Sequence, residues 1–336
     1  MDRRKFITKS GLIASASFIP DSLMLFARWN EKDDKEFFDV IIVGGSYSGL
    51  SAALALGRSL RKVLIIDNGE PCNRFAPRSH NFITQDGEVP SSISEKGRKQ
   101  ILKYETVFYH QDTALEAKKS NDIFVLKTKK GKEITAKKIL FATGLKDLIP
   151  GIKGYSECWG ISVLHCPYCH GYELRGEETG ILGNGNLAFH YAQLISNLTQ
   201  KLTVFTNGKS DFSAEQNELL KRNNVKVVEE KITALEHQNG NLKCLHLANQ
   251  TAFPLVALYA RPGFEQNCKI PMTLGCDTNE QGLLVLDNSQ QTNISGVYAC
   301  GDNSAFRSIA IAVSTGSIAG AAISAALSIE KFNFLK

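Results

Sequence analysis

Phe38-Asp39-Val40-Ile41-Ile42-Val43-Gly44-Gly45-Ser46-Tyr47-Ser48-Gly49 decides how this chain folds. Its first half is an apolar, β-branched run, as in a strand covered on both faces. The glycine-rich half turns the chain. Leu50 to Leu60, rich in Ala and Leu, predicts a helix, and Lys62-Val63-Leu64-Ile65-Ile66-Asp67 predicts a second strand that ends on an acid. This is a βαβ unit of about thirty residues with the marks of dinucleotide binding.

Each part has a physical task. Gly44, with Gly45, permits the tight turn. Ser46 stands where the second glycine of G-x-G-x-x-G usually lies, and its Cβ is expected to crowd the pyrophosphate. Gly49 lets the helix lie close to the strand, and the helix N-terminus offers unpaired N–H groups to phosphate. Asp67 is placed to accept hydrogen bonds from ribose hydroxyls.

A second unit lies downstream. Thr179-Gly180-Ile181-Leu182 predicts a strand, Gly183-Asn184-Gly185-Asn186-Leu187-Ala188 is G-x-G-x-x-A, Leu187 to Leu198 predicts a helix, and Leu202 to Thr206 the next strand. NADPH sites place arginines just beyond that strand, and NADH sites an acid. This chain has Asn207-Gly208-Lys209, with only Lys209 to meet a phosphate. NAD(P)H binding at Gly183, Gly185 and Ala188 is therefore doubtful.

Between the units stands His165-Cys166-Pro167-Tyr168-Cys169-His170-Gly171-Tyr172-Glu173. C-x-x-C spacing lets two thiols close a small disulfide ring, and a helix N-terminus would lower one thiol's pKa. His165 and His170 would supply groups that titrate near neutrality. Cys-x-x-Cys-His is also the spelling of a c-type haem attachment site, but that leaves two nucleotide loops unexplained. A zinc site needs four convergent ligands, which neighbouring residues do not readily supply, so no metal is expected. A purely structural disulfide is the remaining alternative. His80 and His110 look isolated. The other six cysteines sit among apolar neighbours, as small buried hydrophobes do.

The 336 residues are 43% hydrophobic and 22% charged, enough for a large core without disulfide staples. The net charge of +5 is dispersed, which argues against nucleic acid. Arg3-Arg4-Lys5 precedes an apolar run from Gly11 to Ile19, the architecture of an export signal with paired arginines. Residues 1–30 are expected to be a twin-arginine-type leader to the periplasm. Its apolar run is too short to span a membrane.

With these motifs the chain resembles the thioredoxin reductase-like flavoproteins, the low-molecular-weight branch of the pyridine nucleotide–disulfide oxidoreductases. The likeness extends from residue 37 to 330. It rests on the two glycine loops, Ala142-Thr143-Gly144, the C-x-x-C pair and Gly296-Val297-Tyr298-Ala299-Cys300-Gly301-Asp302. Cys-Pro-Tyr-Cys-His-Gly is closest to the dithiol oxidases that close disulfides in gliotoxin- and holomycin-type metabolites, since thioredoxin reductases usually carry an acid where His170 stands.

The resemblance implies an α/β chain of two Rossmann-like three-layer domains. The FAD domain would be discontinuous, at 36–148 and 265–336, and 149–264 would be an NAD(P)-binding-like domain carrying the C-x-x-C. Pro150-Gly151 and Arg261-Pro262-Gly263 would be the hinges. FAD would be held by the first loop, Thr143, Gly144, Gly301, Asp302 and the helix that includes Ile309. Cys166 would take the attack of a substrate thiolate, Cys169 would sit nearer the flavin, and His170, with His165 behind it, would be the acid/base. The substrate would be a small dithiol oxidised with O2 as acceptor, or in the reverse direction a protein disulfide reduced by NAD(P)H. A non-catalytic flavin sensor is a third possibility, and a homodimer the expected assembly.

Overall fold

The structure, a computed structural model, describes residues 37–334. The leader expected at 1–30 lies outside them. A seven-stranded sheet contains β1 (Phe37–Val43), β2 (Val63–Asp67), β3 (Val107–Gln111), β4 (Ala114–Ser120), β5 (Ile123–Thr128), β6 (Glu133–Phe141) and β17 (Val297–Ala299). Its order is β3-β2-β1-β6-β5-β4, with β17 also on β6. β6 is long enough to serve two partners on one edge. Residues 133–136 pair antiparallel with β5, and residues 139–141 pair parallel with β17.

A short ribbon of β7 (Leu145–Asp147) against β16 (Phe264–Gln266) leads out of this sheet. Beyond it lies a five-stranded parallel sheet of β8 (Val163–Leu164), β9 (Thr179–Leu182), β10 (Leu202–Phe205), β11 (Lys226–Val228) and β15 (Ala257–Ala260), ordered β11-β10-β9-β15-β8. β12 (Ile232–Gln238), β13 (Asn241–Leu247) and β14 (Ala252–Pro254) form an antiparallel sheet beside it. The first sheet thus draws on stretches before and after the second. This is the discontinuous α/β architecture the sequence predicts, with both expected hinges flanking the ribbon.

The helices are α1 (Tyr47–Arg58), α2 (Pro90–Ile101), α3 (Tyr155–Cys158), α4 (Pro167–His170), α5 (Gly185–Ile195), α6 (Ala214–Arg222), α7 (Ile270–Thr273) and α8 (Ile309–Phe334). Both glycine-loop helices begin earlier than the apolar pattern suggests, because the glycine turns themselves enter the first helical turn.

β1 shows why its run is apolar on both sides. Val40 and Ile42 pack with α1 and α8, while Ile41 and Val43 face the cluster containing Phe141, Ile270 and Ala299. α8 is long and apolar enough to cross a membrane by length and composition alone. Its buried residues, among them Ala312, Gly316, Ala319, Ile323 and Leu327, recur at three- and four-residue steps and form the stripe of a core-facing helix. Gly316 and Gly320 let it lie against α1. A Cβ at Gly316 would overlap the Ser48 carbonyl, and one at Gly320 would come within 2.6 Å of the Ala52 carbonyl oxygen.

Gly316→Ala is expected to destabilise the protein by about 1–3 kcal/mol, since a backbone contact cannot swing aside as a side chain can. Urea denaturation would check this. An unchanged midpoint would contradict the packing described.

Candidate redox and nucleotide site

A cavity of ≈ 750 Å³ opens at the carboxyl ends of β1, β2 and β6. Gly44 to Ser48, Asp67, Thr143, Gly144 and Asp302 line it, so the structure brings together the first glycine loop and the two later motifs. Gly44 has φ +105° and its Cβ would strike Ala142, which leaves glycine as the only unstrained choice. A Cβ on Gly49 would overlap the Gly44 carbonyl, so Gly49 sets how closely α1 approaches the loop.

Ser46 is the N-cap of α1, yet its side chain makes no capping hydrogen bond. The first N–H groups of this helix therefore remain to be satisfied, and they face a cavity. Ser46 is part of the cavity wall. Asp67 does more than await a ribose. Its Oδ1 accepts from the Gly45 N–H at 3.0 Å, and its Oδ2 accepts from the Tyr109 hydroxyl. Each carboxylate oxygen keeps further acceptor capacity. Tyr109, with Arg98 4.8 Å from its ring, supports this end of the site, and no sequence motif marked it.

Gly301, at φ +83°, donates its N–H to Thr315 Oγ1 at 3.0 Å. Burial raises the pKa of Asp302, and Arg307 opposes the rise from 3.7 Å. The Cys72 thiol donates to Asp302 Oδ2 at 3.8 Å. Cys72 is thus not the small buried hydrophobe expected: the residue is exposed and its sulfur faces the cavity wall. Its desolvated sulfur and the nearby Asp302 push the thiol up to about 11, so it stays protonated. Ile309 begins α8 without lining the cavity; Ala312, one turn on, does.

Cys166 and Cys169 form a disulfide with their Cα atoms 5.3 Å apart. α4 is only four residues long, one turn rather than the helix N-terminus anticipated. Cys166 is buried and Cys169 half-buried, the reverse of the exposure that attack at Cys166 would favour. The motif leans on the first sheet's loops. Trp159, which lines the cavity, stacks on Tyr155 at 5.9 Å and contacts the His165 ring at 6.2 Å. Arg307 binds Asp147 bidentately at 2.6 and 3.1 Å. This ion pair, absent from the sequence expectations, lies close enough to His165 to influence its titration.

Burial, aided by Arg307, lowers His165 to about 4, so it does not titrate near neutrality as expected. His170 is also lowered, by burial and by His80. His80 is not isolated. Its Nδ1 lies 3.6 Å from Asp86 and its Nε2 3.6 Å from Glu173, beside His170. His110 pairs with Asp112 at 3.6 Å.

The second glycine loop differs. Asn184 caps α5 with its own side chain, accepting from the Gly185 N–H at 2.9 Å. The same Oδ1 accepts from the Asp211 N–H at 2.9 Å, and Nδ2 donates to the Lys209 carbonyl at 2.9 Å and to Asp211 Oδ2 at 3.3 Å. An acid and an amide therefore occupy the mouth of the loop.

The pyridine nucleotide-disulphide oxidoreductase family matches the chain over residues 38–316. The chain belongs to that family. It is 30% identical to a thioredoxin reductase, tcpT, of Claviceps purpurea over 84% of this chain and 92% of that one. It is also 30% identical to a thioredoxin reductase, sirT, of Leptosphaeria maculans, over 85% and 93%. Among solved structures, an oxidoreductase from Agrobacterium tumefaciens superposes with a TM-score of 0.82 at 36% identity, covering 88% of this chain and 99% of that one. HlmI superposes with a TM-score of 0.84 at 28% identity, covering 89% and 95%.

As a member of this family the protein is an FAD-dependent oxidoreductase acting on sulfur. The cavity fits FAD on its own evidence. The uncapped α1 would receive the pyrophosphate, Asp67 a ribose, and Gly301-Asp302 the part of the cofactor between them and the ring.

His165 ties stability to acidity. Its folded pKa lies below the ordinary value of 6.5, so the unfolded chain binds more protons between those pH values. Stability is therefore kept at pH 7 and lost as pH falls, by about 2 kcal/mol from this group between pH 7 and 5. His165→Phe is expected to flatten that slope in urea titrations at the two pH values; an unaltered slope would contradict the assignment.

Proposed function

We propose that the protein oxidises dithiols to disulfides, with molecular oxygen as the final acceptor. The observation that carries this reading is the contrast between the two glycine loops. One leaves its helix N–H groups facing a cavity. The other satisfies the Gly185 N–H from Asn184 and holds the Asp211 carboxylate against that same side chain. A like charge and a filled donor both oppose a second dinucleotide. The favoured electron source is then the thiol substrate.

The chain's own groups account for the thiol chemistry. A substrate thiolate attacks one sulfur of the Cys166–Cys169 disulfide, forming a mixed disulfide and releasing the other cysteine as thiolate. The substrate's second thiol, losing its proton, displaces the bound cysteine. Two electrons and two protons have then left the substrate. His170, kept neutral at pH 7 by its lowered pKa, is the base that takes a thiol proton. The family resemblance favours Cys166 for the attack, although Cys169 is the more exposed residue here. FAD, when bound, would supply the two-electron acceptor that restores the disulfide, and oxygen would take those electrons on as hydrogen peroxide. Export through the leader suits such an enzyme, since it needs no nicotinamide pool. A homodimer is the proposed assembly.

The test is anaerobic flavin absorbance. A small dithiol is expected to bleach it, NADPH is not, and readmitted oxygen restores it with one hydrogen peroxide per disulfide. Cys169→Ser should abolish turnover. Bleaching by NADPH alone would instead favour disulfide reduction, and bleaching by neither a sensor.

The second testable feature is acidity. The rate with dithiol should fall on the acid side as His170 gains its proton below pH 6.5, its ordinary value. His170→Asn should lower kcat/KM by about 10²-fold or more and remove that limb. A variant that kept the limb would assign it to another group.

A further inference from the structure

The parallel register of the second sheet fixes which residues leave its carboxyl edge side by side. Leu258 of β15 lies opposite Val163 of β8, and Tyr259 opposite Leu164. Continued by two residues, that register sets Arg261 level with Cys166. On the other edge of β15, Ala260 lies opposite Leu182 of β9, which sets Arg261 level with Gly183. Arg261 therefore emerges between the redox disulfide and the second glycine loop. This is also where the strand order reverses, the place at which open parallel sheets bind ligands.

The surroundings leave this guanidinium without a protein anion. Arg307, which also bears on His165, is taken by Asp147 through two hydrogen bonds. Arg261 is exposed, and no carboxylate among the described residues pairs with it. Its charge reaches both the His165 ring and the Tyr191 hydroxyl. That hydroxyl donates to the His165 carbonyl at 2.6 Å and so holds the backbone just before Cys166. The backbone of this cation is thus set by two neighbouring strands at the sheet edge from which the disulfide segment also leaves. A nucleotide phosphate does not explain it well, because Asp211 and Asn184 fill the neighbouring loop.

We propose that Arg261 receives a carboxylate of the thiol substrate, so that the enzyme selects anionic small dithiols over neutral ones. This rests on the dithiol-oxidising reading above and adds the substrate's charge to it. A guanidinium–carboxylate pair at a solvent-facing crevice is planar and bidentate, and it would orient the thiols as well as attract them.

Dihydrolipoate and dihydrolipoamide carry the same dithiol and differ by one negative charge. Their anaerobic rates of flavin bleaching would be compared in the wild type, Arg261→Gln and Arg261→Lys. The wild type is expected to prefer dihydrolipoate by about tenfold, as for a charge-assisted pair. Arg261→Gln should bring the ratio close to one while leaving the dihydrolipoamide rate unchanged, which also shows the variant to be folded. Arg261→Lys should keep part of the preference. Equal rates in the wild type, or a preference that survives Arg261→Gln, would overturn the arginine's role and leave dithiol oxidation standing. Failure of both dithiols to bleach the wild-type flavin would overturn the two together. If NADPH bleached the wild type but not Arg261→Gln, with the dithiol preference intact, the arginine would belong to a nucleotide phosphate and the proposal would fall.

Discussion

The unmet N–H groups at the start of α1 are the constraint from which the rest of the molecule follows. A helix end without a capping side chain must find acceptors elsewhere, and here it opens on a cavity beside the ends of three parallel strands. Gly44 and Gly49 make the approach possible by carrying no Cβ. α8 then covers α1 from outside, through glycines of its own. A larger residue at Gly49, Gly316 or Gly320 would press on a backbone carbonyl and push α1 or α8 from its place.

The meeting of the two sheets' loops depends on a smaller set of contacts. Arg307 grips Asp147. Trp159 spans from Tyr155 to His165. His80 reaches Glu173. Arg307–Asp147 and His80–Glu173 each join distant parts of the chain, and the second ties the segment that carries the C-x-x-C pair to a loop of the first sheet. Burial, more than any of these contacts, lowers the pKa of both flanking histidines. A neutral imidazole beside a disulfide is ready to accept a proton from an incoming thiol, whereas a charged one is not.

Local features were legible in the sequence. The βαβ units declared themselves because a covered strand must be apolar and a dinucleotide turn must be glycine-rich, and both demands act on consecutive residues. The C-x-x-C pair was equally local. Contacts across the fold left no such trace. Arg307 lies 160 residues from Asp147, and nothing in either neighbourhood announces the other. His80 looked isolated because its partners, Asp86 and Glu173, meet it only after folding. Tyr109 reads as an ordinary strand residue until it is found against Asp67. The helix starts were misjudged by a few residues, since glycine turns carry no hydrophobic period.

The ribbon of β7 and β16 has a consequence for movement. Both chain crossings between the two large sheets run through it as hydrogen-bonded antiparallel neighbours. Two coupled tethers cannot swivel as a single strand does. Any rearrangement of one large sheet against the other must twist or bend the pair as one strip.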